Sequence, residues 1–458
     1  MTGGYLDAAA GLPWHPVAVA AWQAALDDGW ADPLRPTGPG RRAAVLLDAA
    51  RAAIAAEFGI QPDELVFAPS GSSALRQAVQ GSLAGRHRAG NRLVHSTVEH
   101  STVLRVAEQH RRAGGTVTEV PVDAEGRVGA QEFVAAATAA RVATAVLQAA
   151  NHEVGSRQPV TDVLQGLADA GVPLVVDASH QVVYGELPAA PIVTADARLW
   201  GGPAGVGLLV IRRGVRWQPP GPVDEAESGR ALGAPSVPAV VAAAAALRAT
   251  RADRAAEAAR LSDYIDQLRR RIPELVPDTV VLGAEHDRLP HLVTFSCLYL
   301  DGQALLTELD RQGFTASSGS SCSSDSLTPS HVLVAMGALT GGNVRLSLHP
   351  GVTQADLDRF LAVLPVAVAE VRAAAPGSPP ATAPAAERSP VLDSRGRRCP
   401  LPVLDLARAL PELPVGGELV LLADDPAAAG DIAAWCRMTG QQLVGGGPDS
   451  GFRVRRLH

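Results

Sequence analysis

Five short apolar runs, most of them separated by helical stretches, constrain the fold of this chain more than any other feature. They read "ELVFAPS" (64–70), "RLVHSTV" (92–98), "TAVLQAA" (144–150), "PLVVDAS" (173–179) and "GVGLLVI" (205–211). The intervening stretches are amphipathic and Ala-rich. Strands and helices alternating in this way form a mostly parallel sheet with helices on its faces, so the expected fold class is α/β. In such sheets ligands bind beyond the carboxyl ends of the strands. Four of the runs end in polar residues: Ser70-Gly71-Ser72-Ser73, Glu99-His100, Asn151-His152-Glu153 and Asp177-Ala178-Ser179-His180. Their convergence predicts one pocket. The last run follows a Gly/Pro-rich turn in "DARLWGGPAGVGLLVI", residues 196–211.

Composition narrows the function classes. The chain has 458 residues, enough for two or three domains, with 47% hydrophobic and 19% charged residues. A net charge of −7 speaks against a nucleic-acid partner. The opening "MTGGYLDAAAG" lacks the basic start and apolar run of a secretory signal, and the longest apolar stretch, Val237–Leu247, is too short to span a bilayer. A cytoplasmic protein without a membrane partner is expected. All 40 residues counted as Lys or Arg are arginine. The chain therefore has no lysine side chain with which to form a Schiff base.

The 4 cysteines are Cys297, Cys322, Cys399 and Cys436. They show no CxxC pair and no zinc-type spacing, so no metal is expected. Cys297, in "HLVTFSCLYL", and Cys436, in "DIAAWCRMTG", are expected to be packed in the core. Cys322 lies in "TASSGSSCSSDS", a Ser/Gly-rich run with the composition of a loop. Cys399 begins "CPLP", with Pro400 at or near a first helical turn. There the helix dipole and Arg395, Arg397 and Arg398 are expected to favour the thiolate.

The organisation is tripartite. Residues 1–373 carry the α/β pattern, 374–390 ("AAPGSPPATAPAAERSP") form a Pro/Ala-rich linker, and 391–458 form a small strand–helix–strand–helix–strand domain.

Several motifs, in order, carry a resemblance. "YLDAAAG", "FAPSGSSAL", "VEHSTVL", "NHEVGSRQPV", "VVDASHQ", "GGPAGVG", "SSGSSCSSDSLTPSHVLVAMG" and "NVRLSLHPGVTQADLDRFL" resemble the cysteine desulfurases, the NifS-like branch of the class V aminotransferases. The resemblance implies the pyridoxal phosphate (PLP)-dependent fold type I with a small C-terminal subdomain. "LDSRGRRCPLPVLDLARAL" and "ADDPAAAGDIAAWC" resemble a TusA-like sulfur carrier, an α+β domain with a CPxP signature.

By that resemblance Asp177 pairs with the cofactor's pyridinium nitrogen, His100 stacks on the ring and moves protons, and Asn151 and His180 contact the ring's surroundings. Asn151 and Arg345 are substrate-binding positions, Arg345 for the carboxylate. Ser72 and Ser73 fall on the phosphate loop. The remainder departs from the family. Asp196 stands where a serine is usual, and its charge would repel a phosphate. Arg198 replaces a histidine and is expected to compensate. Leu199 stands at the Schiff-base lysine, and Ala234 at a phosphate-contacting threonine offered by the partner subunit. Any bound PLP would be non-covalent. A homodimer is implied, because the family builds its site at a subunit interface.

The sulfur end is retained in sequence. Cys322 matches the cysteine that takes sulfur as a persulfide, and Cys399 the carrier cysteine. The expected function is sulfur transfer, from L-cysteine or a persulfide donor through Cys322 and Cys399 to a sulfur-acceptor protein, with PLP chemistry absent or altered. The alternatives are a catalytically dead desulfurase-like scaffold carrying an active TusA domain, an intact L-cysteine desulfurase using non-covalent PLP, and a different reaction in the same pocket.

Overall fold

The computed structural model describes residues 4–319, 329–374 and 390–458. It divides into two compact units.

The larger unit comprises Ala8–Ser262 and Ala284–His291. Its centre is a 7-stranded sheet of β1 (Leu65–Ala68), β2 (Arg92–Ser96), β3 (Thr116–Val120), β4 (Val142–Gln148), β5 (Leu174–Asp177), β6 (Ile192–Asp196) and β7 (Gly207–Ile211), in the order β1-β7-β6-β5-β4-β2-β3. Strands β2 to β6 pair in parallel, and β7 pairs antiparallel with both β1 and β6. The mostly parallel α/β expectation therefore holds. Two strands escaped the sequence pattern, β3 with its polar "TVTEV" and β6. Buried side chains cover both faces. One cluster centres on Trp200, Phe133, Leu147 and Leu174, the other on Val66, Leu75, Leu93 and Ile192. Burial on both faces is what makes these strands near-continuous apolar runs.

The helix Gly71–Gly85 follows β1 directly. Ser70 caps it, its Oγ accepting the Ser73 N–H at 3.1 Å. The helix Ser101–Arg112 follows β2 and is capped by His100, whose Nδ1 accepts the Thr102 N–H at 3.2 Å.

The other unit holds residues 4–7, Asp263–Gly283 and the described residues from Leu292 onward. It contains a 3-stranded antiparallel sheet of β8 (Thr279–Leu282), β9 (Leu292–Cys297) and β10 (Asn343–Ser347), with β9 central. A second sheet has the order β11-β12-β14-β13, formed by β11 (Val391–Asp393), β12 (Glu418–Leu422), β13 (Gln442–Gly447) and β14 (Gly451–Arg455). The helices Leu401–Ala409 and Ala428–Thr439 belong to it. Its final segment is a hairpin, β13 with β14, where the sequence pattern suggested one strand. Cys297 and Cys436 are buried, as expected. Among the described residues no helix is long and apolar enough to cross a membrane.

Candidate functional site

The carboxyl ends of β2, β4 and β5 and the loops after them carry most of the predicted site residues. Asp177 closes β5, and its Oδ1 accepts from the Ser179 N–H at 3.1 Å and the Ser179 hydroxyl at 2.6 Å. His100 comes from the loop after β2, and Asn151 and His180 from the loops after β4 and β5. His152, which the motif comparison passed over, stands between two of them. Its ring lies 5.5 Å from that of His100, at 63°, and 6.1 Å from that of His180, at 34°. Three imidazoles thus line one side of the site. Because Nδ1 of His100 accepts from Thr102, a neutral His100 carries its proton on Nε2.

Asn151 is fully buried and is occupied in shaping its own loop. Its Oδ1 accepts the N–H groups of Glu153 and Val154, each at 2.8 Å, and its Nδ2 donates to the Val98 carbonyl at 3.1 Å. Glu99 lies behind this loop, accepting from the Ser96 hydroxyl at 2.9 Å and the Gln148 N–H at 3.0 Å. Burial, with a contribution from the Asp177 charge, pushes its carboxyl up to about 8. The sequence signal for Glu99 and His152 was only their place at polar strand ends.

The opposite side is built differently from the expectation. The first turn of the helix Gly71–Gly85 presents backbone N–H groups of the kind that hold phosphates. Here the anion is the chain's own. The Oδ2 of Asp196 accepts the Gly71 N–H at 3.1 Å, and the Asp196 side chain is almost fully buried. The approach is so close that a Cβ on residue 71 would lie 2.6 Å from the Asp196 Cβ, which is why glycine stands there. Arg198 was expected to grip a phosphate. It instead forks onto Asp196, with Nη2 at 3.0 Å and Nε at 3.2 Å, while its N–H donates to Oδ1 at 3.0 Å. The physical reason is proximity. A carboxylate two residues away outcompetes a distant anion for a guanidinium fork. Of the two predicted serines, Ser72 is exposed, and Ser73 accepts from the Gln77 amide at 3.2 Å through its hydroxyl. Ala234 is exposed and lines a cavity with Ser73, Arg76 and Gly205.

Leu199 is only 8% exposed and belongs to the apolar cluster around Trp200. Set against PLP, the ring side offers a carboxylate and imidazoles that suit a pyridinium ring. The phosphate side and the point of covalent attachment do not fit. One holds a buried carboxylate and the other an aliphatic side chain.

The second unit holds the remaining candidates. Arg345, on β10, is buried, and its Nη2 donates to Asp7 Oδ1 at 2.6 Å. The carboxylate it holds is thus the chain's own, where a substrate's was expected. Asp7 reaches it because Tyr5 bridges in parallel to Thr315 and Asp7 itself to Ser347. Cys322 lies outside the described residues.

Cys399 immediately precedes the capping Pro400 of the helix Leu401–Ala409. The expectation of a favoured thiolate is overturned. Burial, together with Asp431 and Asp425, drives the thiol far above its ordinary range. Its basic neighbours are occupied elsewhere, Arg395 with Asp393 at 2.5 Å and Arg397 with Asp405 at 2.8 Å. Only Arg398 makes no ion pair among the described residues. Asp425 accepts the Cys399 N–H at 3.3 Å. Asp431, which the sequence did not single out, is buried against the thiol. Among the described residues no group of His, Cys, Asp and Glu is arranged to hold a metal ion.

Comparison with known proteins agrees with this architecture. A family model for class-V aminotransferases matches residues 4–360, and one for the sulfurtransferase TusA matches residues 391–454. A cysteine desulfurase of Cereibacter sphaeroides is 33% identical over 383 residues, covering 81% of this chain and 97% of its own length. The cysteine desulfurase IscS of Dictyoglomus turgidum is 28% identical over 381 residues, covering 81% and 96%. Among solved structures, a NifS-like protein superposes with a TM-score of 0.74 at 23% identity, covering 80% of this chain and 99% of that one. DndA from Streptomyces lividans superposes at 0.63 with 26% identity, covering 75% and 99%. Class-V aminotransferases of the desulfurase type use PLP, so the family's cofactor is the one whose phosphate side is altered here. By its strand order, its strand-end residues and these matches, the chain belongs to the class-V aminotransferase family, as a NifS-like cysteine desulfurase domain fused to a C-terminal TusA sulfur carrier domain.

Proposed function

We propose that this chain is a fused sulfur relay in which residues 1–373 receive sulfur, 374–390 link the two parts, and 391–458 carry the sulfur away. Sulfane sulfur is held as a persulfide on Cys322. The Cys399 sulfur attacks the outer sulfur of that persulfide, the S–S bond at Cys322 breaks, and the proton of Cys399 ends on the departing Cys322. Cys399 then bears the persulfide, and an acceptor protein takes it by the same exchange. Atoms, protons and oxidation states balance without a further reagent.

The observation that most supports this reading is Asp196. A buried carboxylate holds the helix N-terminus that a cofactor phosphate would need, in a chain without lysine. Sulfur entry from a persulfide donor needs neither group. Ring-side residues His100, Asn151, Asp177 and His180 then line a pocket no longer equipped to keep PLP by its phosphate or by an imine to the protein. We read the assembly as a cytoplasmic homodimer, in keeping with the family.

The test supplies purified protein with L-cysteine and PLP, or with a low-molecular-weight persulfide, and follows alanine and protein-bound persulfide, with Cys322→Ala as control. The relay predicts no alanine, and persulfide on Cys322 and then Cys399 only with the donor. Cys322-dependent alanine would show a working desulfurase. Donor sulfur reaching Cys399 equally fast in Cys322→Ala would show a scaffold with an independent carrier.

A further inference from the structure

The carrier domain is held against the small antiparallel sheet and the segments around it by contacts that converge on Cys399. Thr340 donates twice to one oxygen of Asp431, from its N–H at 2.7 Å and from its hydroxyl at 2.9 Å. The other oxygen, Oδ2, is buried and accepts from no N–H or O–H group among the described residues. It is left to the Cys399 thiol, with which Asp431 interacts. A second contact lies one turn further along the same helix, where Trp435 Nε1 donates to the Tyr299 hydroxyl at 2.9 Å. Tyr299 sits in the left-handed backbone region with φ at 62°, an uncommon conformation for a residue with a bulky side chain. Arg437 adds a bond to the Gly337 carbonyl. Leu298 and Leu339 complete the carrier's apolar cluster beside Leu406, Ile432 and Trp435.

We propose that Thr340 and Tyr299 form a docking surface for the chain's own carrier domain, and that docking clamps Asp431 against Cys399 and keeps its thiol idle. The partner of this surface is the face of the helix Ala428–Thr439 that presents Asp431 and Trp435. With Oδ1 held by two donors, Asp431 is fixed as a carboxylate whose remaining lone pairs meet the thiol. A thiol beside a buried anion keeps its proton, and the thiolate is the nucleophile. Lifting the carrier off removes both Thr340 donors and opens Asp431 and Cys399 to water. The thiol then faces Arg398 with less competition from buried acid. The charged groups around the docked thiol are Asp425, Asp431 and Arg398. Across the adjoining cavity of about 600 Å³ stand Asp301, Glu308, Arg311 and Glu370. Glu308 and Arg311 pair at 2.6 Å. The charges that act on the docked thiol are the two aspartates, and both raise it. The inference takes Cys399 as the sulfur-accepting thiol of the proposed relay, but the clamp itself does not depend on the source of the sulfur.

The test is the rate at which iodoacetamide alkylates Cys399 in the full chain, read by peptide mass spectrometry from pH 6 to 10. Cys297 and Cys436 serve as buried internal standards. The wild-type chain is expected to react slowly at Cys399, with a rate still rising at the highest pH. Thr340→Ala is expected to speed the reaction by ~10-fold or more at pH 7.5, the effect of about one unit in thiol pKa. Tyr299→Phe should move it in the same direction, Thr340→Ser should remain slow, and Asp431→Asn should shift the rate profile to lower pH. Slow reaction of the two standards certifies that each variant is folded. Should Thr340→Ala lose that protection, Tyr299→Phe and Asp431→Asn decide alone. A wild-type Cys399 that reacts like a free thiol overturns the clamp, as does an unchanged rate in folded Thr340→Ala or in the deciding pair. Sulfur delivery is a separate readout. A clamp that behaves as expected beside unchanged delivery in Cys399→Ala would leave the clamp standing and remove the relay.

Discussion

The carboxylate of Asp196 accepts the Gly71 N–H at 3.1 Å and stands as the anion at the start of the helix Gly71–Gly85. A helix N-terminus attracts negative charge, and a backbone N–H has one proton to donate. A phosphate arriving at this turn meets a like charge already seated there. Asp196→Ser combined with Arg198→His removes that charge and its counter-ion together. The double variant is expected to bind inorganic phosphate and PLP roughly 100-fold more tightly than the parent, since a juxtaposed like charge costs several kcal/mol. Calorimetric titration reads this directly. Tight phosphate-dependent binding of PLP to the unaltered chain would refute it.

Leu199 packs in the apolar cluster around Trp200. Leu199→Lys forfeits that burial and places an amine in apolar surroundings. It should cost about 2–4 kcal/mol in urea unfolding. Alone it is expected to give no borohydride-reducible PLP adduct, because the phosphate side stays closed. Added to Asp196→Ser and Arg198→His, it should give a yellow adduct that borohydride fixes to residue 199.

Cys399→Ala is expected to leave donor sulfur on Cys322 and to abolish its transfer to an acceptor. Radiolabelled sulfane sulfur, followed peptide by peptide, checks both halves of the statement. Unchanged delivery to the acceptor would place the exit thiol elsewhere.

Glu99 contributes a pH dependence whose sign follows from its environment. Its carboxyl rises from 4.5 to about 8 in the folded chain, chiefly through burial. The folded protein therefore holds a proton that the unfolded chain has lost, so stability falls as pH climbs between those two values and then levels. Glu99→Gln keeps a neutral group there and should flatten this part of the curve. Thermal unfolding from pH 5 to 9 measures it, and an unchanged slope in the variant would assign the dependence to another group.

Arg345 and Asp7 form a pair at 2.6 Å that ties the first residues of the chain to β10. Asp7→Asn leaves a buried guanidinium with less compensation. The loss in urea unfolding should be about 3 kcal/mol, the low end for a buried pair, because Asp7 is partly exposed. A loss under about 1 kcal/mol would mean that other groups satisfy Arg345.

Much of the fold was legible in the residues themselves. Burial on both faces of the sheet makes a strand a continuous apolar run whether its neighbours are parallel or antiparallel, so β1, β2, β4, β5 and β7 stand out in the sequence. β3, with polar residues along it, has no such signature. Polar residues at the strand ends announced Asp177, His100, Asn151 and His180, because a ligand pocket forms where parallel strands stop. The absence of lysine and the CPxP sequence at Cys399 were equally plain. These are properties of one residue or of a local period, and they survive in one dimension.

Charge partners are not local in that sense. Only the tertiary structure brings Asp196 to Gly71, across 125 positions of sequence. Only it brings Asp431 to Thr340, across 91 positions, and so reverses the expectation for Cys399. The sequence places three arginines beside that cysteine. Folding pairs two of them with aspartates, buries Asp431 near the sulfur with the half-buried Asp425 beside it, and removes much of the water that would have screened them. The field at an ionisable group is the sum over its neighbours in space at the local dielectric, and that sum exists only once the chain has folded.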